Sequence, residues 1–185
     1  MNRERDRGAT GCLRLSEVVL RTGRYEAMKR WYRIVLQVDP YFEHLVSEAP
    51  PANSPSSAPI RLCFFRLLFE HPFQQVIALF DVPGTSLRGK GAAGLHHMQM
   101  SVACREQLAS RCALLARDGI HPRRATDHGP TTSCYYADPD DNVVELAASN
   151  HEDVSAYMAA RESEQFRRSP FGRQLDLDWF TRERH

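Results

Sequence analysis

Apolar and polar residues alternate over two neighbouring stretches of the chain in the way expected of β-strands. Residues 132–137 are β-branched and aromatic, and a second alternating run begins at Val143, after the acidic turn 138–142 that contains Pro139. Proline presets the backbone angle of a turn's first central residue, and Asp or Asn tolerates the unusual angles that follow. The pattern therefore predicts two strands joined by a tight turn.

Glu145 places a carboxylate between apolar residues in the second of these strands. Burying an ionised carboxylate is costly unless a cation or hydrogen-bond donors satisfy it. A partner is offered by the strand-like run 94–102, whose alternation sends His97 to one face and His96 to the other. Imidazole and carboxylate are common ligands of Fe, Mn and Zn, so His97 and Glu145 could form two parts of a metal site. A half-buried polar pair without a metal is the alternative.

The other apolar positions predict helices and further strands. Apolar side chains recur at helical spacing in three segments, residues 24–37, 105–118 and 151–166. Strand character marks four more segments, residues 13–21, 40–47, 60–69 and 75–82. The aromatic stripe of the first helix is expected to belong to the core. Each half of the chain thus consists of a strand, a helix and further strands, an internal pseudo-repeat.

Composition narrows the class of protein. The chain has 185 residues and a net charge of +1, with charges of both signs interspersed, which argues against binding to nucleic acid or to an anionic membrane. Its five cysteines form an odd set without CxxC spacing, which indicates a reducing compartment. Without a signal peptide or an apolar run of membrane-spanning length, the protein is expected to be soluble and cytoplasmic.

Three segments are expected along the chain. Residues 1–11 are predicted to be a flexible leader, and residues 12–149 a single module with halves at about 12–83 and 94–149. Residues 150–185 are predicted to form a C-terminal helix and an apolar tail that packs onto the module or onto a partner subunit. A homodimer is therefore expected.

Three stretches, residues 15–36, 94–102 and 128–145, together resemble the vicinal oxygen chelate superfamily, which includes glyoxalase I, bleomycin resistance proteins and type I extradiol dioxygenases. The third stretch resembles the extradiol signature, in which a His precedes a Tyr, an acidic turn with Pro, and a Glu. Two residues depart from it: Cys134 stands where an aliphatic residue or Phe is usual, and Asp141 where Gly or Pro is usual. The likeness is greatest to small single-module proteins related to biphenyl-diol dioxygenases.

The resemblance implies a fold and a site. The fold is α+β, with two βαβββ units that form one curled mixed sheet around a cavity. The implied metal ligands are Glu17, His97 and Glu145, with Glu17 at the position where the resembling families have a His. His128 and Tyr135 match a His that hydrogen-bonds bound oxygen and a Tyr that contacts the substrate oxygen. The implied cofactor is a divalent metal, Fe(II) first and Mn(II) as an alternative.

Three functions follow from these residues. The first is a metal-dependent dioxygenase acting on a vicinal-dihydroxy or related polyphenolic aromatic small molecule, which His128 and Tyr135 favour. The second is a glyoxalase-like Lewis-acid lyase or isomerase, which the carboxylates Glu17 and Glu145 favour. The third is a non-catalytic module that binds an aromatic ligand, in which Glu17 would mark a decayed site.

Overall fold

The computed structural model describes residues 13–45, 60–87, 89, 91 and 93–181. The predicted leader, residues 1–11, lies outside the described residues. The chain divides into two compact units, residues 1–86 and 87–185. Each unit carries its own mixed sheet and the same element order, so the predicted α+β class and its two βαβββ units are confirmed. Hydrogen bonding joins the strands as two sheets, one in each unit.

The first unit is a four-stranded sheet with one helix. Its elements are β1 (Glu17–Thr22), α1 (Tyr25–Leu36), β2 (Phe42–Leu45), β3 (Arg61–Glu70) and β4 (Phe73–Asp81). The strand order is β1-β4-β3-β2, with β1 parallel to β4 and the other pairs antiparallel. Because β1 and β4 are parallel, the chain needs a crossover connection between them, and α1 forms the first part of it.

Helix α1 buries the aromatic stripe that the sequence predicted to be core. Side chains at helical spacing form its buried face: Tyr25, Met28, Trp31, Tyr32 and Val35. The helix is capped by Gln37, whose N–H donates to the carbonyl of Arg33 and whose left-handed backbone then turns the chain out of the helix. The stripe is therefore used for packing within this unit.

The second unit repeats this arrangement. Its elements are β5 (Met98–Val102), α2 (Arg105–Arg117), β6 (Arg124–Asp127), β7 (Thr131–Ala137) and β8 (Val143–Ser149). Strand β5 is parallel to β8, and β8, β7 and β6 follow as antiparallel neighbours. Because β8 lies between β5 and β7, both neighbouring strands can present side chains to Glu145.

The β7–β8 turn forms as the sequence predicted. The Asp138 carboxylate accepts hydrogen bonds from the N–H groups of Asp140 and Asn142, at 3.0 and 2.8 Å. Asp141 adopts a φ of 65°, in the left-handed region that glycine tolerates best and Asp better than most residues. Asp141 thus meets the backbone requirement of this turn position without a glycine.

The C-terminal segment folds onto the second unit. It consists of α3 (Val154–Glu162), α4 (Glu164–Arg168), β9 (Arg173–Leu175) and α5 (Asp178–Thr181). The single helix predicted at residues 151–166 is two helices, because Ser163 has an extended backbone and its hydroxyl caps α4 by accepting from Phe166 N–H. Strand β9 pairs antiparallel with β6, and Phe180 is buried where α5 packs against α2. The apolar tail thus packs onto its own unit.

No helix in the described part of the chain is long and apolar enough to span a membrane.

The core of the second unit provides a stability test on α2. Leu108 is completely buried, so Leu108→Ala should lower the free energy of unfolding by about 2–5 kcal/mol through lost apolar contact and a residual cavity. Urea denaturation followed by circular dichroism measures the change. The control is Ser110→Ala on the exposed face of α2, expected to change it by less than about 0.5 kcal/mol. Equal effects of the two substitutions would contradict the assigned helix face.

Candidate metal-binding and catalytic site

A row of four side chains crosses the second sheet. The strand register pairs Gln99 with Glu145, Glu145 with Tyr135, and Tyr135 with Arg124. Directly paired residues point to the same face of a sheet. Glu145 and Tyr135, in the middle of the row, are only 5% and 6% exposed, whereas Gln99 and Arg124 at its ends are exposed. The row therefore has a buried polar centre.

Glu145 finds its partner in His97. His97 lies directly before β5, and its Nε2 is 3.0 Å from Oε2 of Glu145. A buried carboxylate is thereby satisfied by a half-buried imidazole, as the alternation of the two strands predicted. The structure brings together these two members of the ligand set that the resemblance implied.

His96 does not face away from His97, so that prediction is wrong. The Nδ1 atoms of the two rings are 2.7 Å apart. Both residues precede β5, which begins at Met98, so alternation is not enforced there by strand pairing: His97 keeps the face that it predicts, whereas His96 turns towards His97. A contact this short requires one of the two nitrogens to carry the hydrogen. In the neutral, metal-free ring, His97 Nε2 carries the hydrogen that Glu145 accepts, so His97 Nδ1 accepts from His96; a cation at Nε2 would take the place of that hydrogen, and Nδ1 would then donate to His96.

Tyr135 and His128 form a second pair beside Glu145. Nε2 of His128 is 2.9 Å from the Tyr135 hydroxyl, and its Nδ1 is 3.2 Å from the carbonyl oxygen of Pro170. Burial, followed by the negative charge of Glu145 and its hydrogen bond with the phenol, raises the pKa of Tyr135 above its ordinary value. The Tyr135 phenol is therefore held in its neutral, donating form.

Arg124 covers the Tyr135 ring, with its guanidinium carbon 3.9 Å from the ring centroid. Its positive charge opposes the effect of Glu145 and lowers the pKa of Tyr135. The sequence carried no signal for this contact, because Arg124 is one of several exposed arginines until the pairing of β6 with β7 is known.

Cys134 lies on the opposite face of β7 from Tyr135. Its side chain is fully buried in contact with Cys112 of α2. That contact and burial raise the pKa of the Cys134 thiol far above its ordinary range. Cys134 is therefore an uncharged core residue, which suits a position where an aliphatic residue or Phe is usual.

Glu17 begins β1 in the first unit and is exposed. In that unit Val19 pairs with Ala78, and Glu17 precedes Val19 by two residues. In the second unit Gln99 pairs with Glu145, and His97 precedes Gln99 by two residues. Glu17 lies eight residues before the first residue of α1, Tyr25, and His97 lies eight residues before the first residue of α2, Arg105, so the two hold equivalent positions, and the pairings make Ala78 the counterpart of Glu145.

The family is identified by comparison with known proteins. Residues 14–146 match the model of the Glyoxalase/Bleomycin resistance protein/Dioxygenase superfamily. The chain belongs to this superfamily. The match spans both βαβββ units and confirms the resemblance drawn from the three sequence stretches.

Two relatives within the superfamily come from Rhodococcus globerulus. Biphenyl-2,3-diol 1,2-dioxygenase 2 is 37% identical over 158 residues, which cover 83% of this chain and 73% of the relative. Biphenyl-2,3-diol 1,2-dioxygenase 3 is 34% identical over 154 residues, which cover 80% of this chain and 72% of the relative.

Solved structures of superfamily members share the fold. Glyoxalase I from Leishmania major aligns with a TM-score of 0.55 at 18% identity, covering 86% of this chain and 99% of that protein. A fosfomycin resistance protein from Listeria monocytogenes aligns with a TM-score of 0.54 at 14% identity, covering 79% and 98%. At these identities the likeness establishes the fold alone.

The donor chemistry of the site fits the divalent metal that this superfamily suggests. Among residues 13–45, 60–87, 89, 91 and 93–181, no group of three or more His, Cys, Asp or Glu side chains is close enough to hold a metal ion. Within the second unit, however, an imidazole nitrogen of His97 and a carboxylate oxygen of Glu145 converge to 3.0 Å. One nitrogen and one oxygen donor are a suitable part of a site for Fe(II), Mn(II) or Zn(II).

The charge of Glu145 should be measurable at Tyr135. Glu145→Gln removes a negative charge that disfavours tyrosinate, so the pKa of Tyr135 should fall while burial still holds it above the ordinary value. NMR titration of ¹³Cζ-labelled tyrosine, assigned with Tyr135→Phe, measures the shift in metal-free protein. Exposed Glu152→Gln in the same unit is the matched control and should leave it unchanged. A pKa that stays constant in Glu145→Gln would refute this electrostatic assignment.

Proposed function

We propose that the protein is a metal-dependent dioxygenase that acts on a vicinal-dihydroxy aromatic small molecule. The observation that carries this proposal is the line of contacts in the second unit, where His97 and Glu145 meet at 3.0 Å and Tyr135 and His128 meet at 2.9 Å. The relatives named biphenyl-2,3-diol 1,2-dioxygenases support the same class of reaction.

His97, Glu145 and Glu17 are the residues that would hold the metal. Glu17 is included because of its strand position in the first unit, equivalent to that of His97 in the second. Fe(II) is the proposed ion and Mn(II) the alternative. When bound, such an ion supplies positive charge that favours ionised diol oxygens, and the redox capacity that a reaction with dioxygen requires.

Tyr135 is proposed to orient the substrate. A phenol is already neutral at physiological pH, and burial raises the pKa of Tyr135 further, so the hydroxyl keeps a hydrogen that it can donate to a diol oxygen. Arg124 stacks on the ring and restricts its movement. A fixed donor of this kind lowers the entropic cost of bringing the substrate into a reactive position.

His128 is proposed to hold and transfer the proton. Its Nε2 faces the Tyr135 hydroxyl at 2.9 Å, within reach for proton exchange. A neutral Nε2 can accept a proton released as the diol binds, and a protonated Nε2 can donate a hydrogen bond to a negatively charged oxygen. One side chain can therefore serve both stages of the reaction.

A Lewis-acid lyase or isomerase is the second candidate, favoured by a carboxylate at Glu17. Two carboxylates and one imidazole make a harder and more anionic ligand set than two imidazoles and one carboxylate, which favours polarisation of a substrate over activation of oxygen. Consumption of dioxygen would exclude this as the sole activity.

The deciding experiment loads Fe(II) into protein purified without oxygen and measures metal stoichiometry and oxygen uptake with a panel of catechols. We expect about one metal ion per chain and uptake that requires Fe(II). His97→Ala should abolish uptake, whereas exposed His121→Ala, a matched histidine control, should preserve it. Metal binding with uptake only after Glu17→His would favour the Lewis-acid candidate, and failure to bind metal would favour a binding module.

Removal of the His128 imidazole should affect turnover more than metal binding. His128→Gln should lower kcat for oxygen uptake by about 100-fold to 1,000-fold, because the proton acceptor beside Tyr135 is lost. Metal stoichiometry should remain that of the wild type. Stopped-flow and steady-state uptake measure the change, and an unaltered kcat would remove His128 from the proposed mechanism.

A further inference from the structure

The C-terminal segment from residue 169 to 175, here called the strap, lies against the loop that carries His128. Its β9 portion pairs antiparallel with β6, and the register places Arg173 opposite Asp127. The Arg173 guanidinium is also 3.7 Å from the Asp127 carboxylate. The strap is therefore anchored to the residue immediately before His128.

Gly172 sets the distance between the strap and this loop. Its φ of +72° lies in the left-handed region, and a Cβ at this position would be 2.3 Å from the carbonyl oxygen of Asp127 and 2.9 Å from Cα of His128. Both neighbours are backbone atoms that cannot rotate away. Any side chain at position 172 must therefore push the strap and the loop apart.

A tight turn ahead of Gly172 aims a carbonyl group at the His128 ring. The Gly172 N–H donates to the carbonyl of Ser169 at 3.1 Å, and the turn that this bond closes contains Pro170. The carbonyl oxygen of Pro170 is 3.2 Å from Nδ1 of His128. The far end of the same ring contacts Tyr135.

The loop that carries His128 is also held by the side chain of Asn150. The Asn150 side-chain amide donates to the carbonyl of Gly129 at 2.8 Å and to Oδ1 of Asp127 at 3.1 Å. These bonds hold the Gly129 carbonyl and the Asp127 side chain, on either side of His128, without touching its ring. The Pro170 carbonyl, in contrast, contacts the ring itself, so this contact acts on the orientation and the protonation of the imidazole.

The chemistry of the Pro170 contact determines which ring nitrogen carries hydrogen. A carbonyl oxygen can only accept, so Nδ1 of His128 must be the donor. In the neutral ring Nε2 then has a free lone pair that faces the Tyr135 hydroxyl at 2.9 Å, and it can accept the single phenol hydrogen in exchange with the Glu145 carboxylate. If the ring gains a proton, it enters at Nε2, the nitrogen that faces Tyr135.

We propose that the C-terminal strap positions His128 and locks its Nδ1–H tautomer, so that Nε2 alone exchanges a proton at the site. The proposal rests on the proposed function for the use of that proton, but the tautomer itself is independent of any reaction. Pro170, through its carbonyl, and Gly172, through its close approach, are positioning residues. Without the contact from the strap, the Nε2–H tautomer of His128 would become accessible, and Nε2 could no longer accept the hydrogen of the Tyr135 hydroxyl.

NMR of protein with ¹⁵N-labelled histidine tests the tautomer directly in the metal-free chain. In the wild type, at a pH where His128 is neutral, we expect a protonated Nδ1 and a bare Nε2. Gly172→Ala should convert this signal to the Nε2–H tautomer or to an average of the two. In the Fe(II)-loaded protein it should lower kcat at least about 10-fold with metal stoichiometry and KM unchanged.

Gly119→Ala is a matched control, because Gly119 has a φ of +73° but no atom within 4 Å of an added Cβ. It introduces the same backbone strain, remote from the strap, and should leave the His128 signal unchanged. If Gly172→Ala does not fold, Arg173→Ala, which loosens the same anchor without a clash, is expected to shift the tautomer part of the way.

Three results would overturn the proposal: an Nε2–H tautomer in the wild type, an unchanged Nδ1–H signal in folded Gly172→Ala and Arg173→Ala, or an equal change in Gly119→Ala. Failure of the proposed function looks different. In that case no variant consumes oxygen, while the Nδ1–H signal of the wild type and its loss in Gly172→Ala persist.

Discussion

The buried carboxylate of Glu145 is the constraint on which the polar centre of the second unit depends. At 5% exposure it has lost nearly all contact with water, and an unpaired charge in such a place would be strongly destabilising. Its strand, β8, lies between β5 and β7. One neighbouring strand supplies His97 from the residue before it begins, and the other supplies Tyr135. The central position of β8 thus allows one acidic residue to be satisfied from two sides.

These contacts continue beyond Glu145 in both directions. On one side, the His97 ring meets His96. On the other, the Tyr135 hydroxyl meets His128, which in turn meets the Pro170 carbonyl. A carbonyl cannot donate, so the C-terminal end of this chain of contacts has a fixed polarity. The Pro170 carbonyl keeps a hydrogen on Nδ1 of His128. Protonation can therefore change only at groups nearer to Glu145, beginning with Nε2 of His128. Secondary elements far apart in sequence therefore act on one set of titratable groups.

Much of the fold and part of the site could be predicted from the sequence. Strands and helices with clear periodicity were found because side-chain burial follows the repeat of the backbone. The approach of His97 to Glu145 followed from the same alternation. His96 was misplaced because it lies two residues before β5 begins, where strand pairing no longer enforces that rule. Strand β9 has only three residues, too few for a pattern, and its partner β6 is fixed by pairing alone. Contacts made by backbone atoms, such as the carbonyl of Pro170, cannot be predicted from residue type, because every residue has a backbone carbonyl.

The two βαβββ units show how the same topology can carry different chemistry. Each has a parallel pair of strands at one edge, and equivalent strand positions hold Ala78 in the first unit and Glu145 in the second. Ala78 is completely buried and needs no polar partner, so the strands beside it are free to pack apolar side chains. Glu145 requires donors, and its neighbours are accordingly His97 and Tyr135. One carboxylate therefore accounts for the polar residues that gather in the second unit, because each of them lowers the cost of burying it.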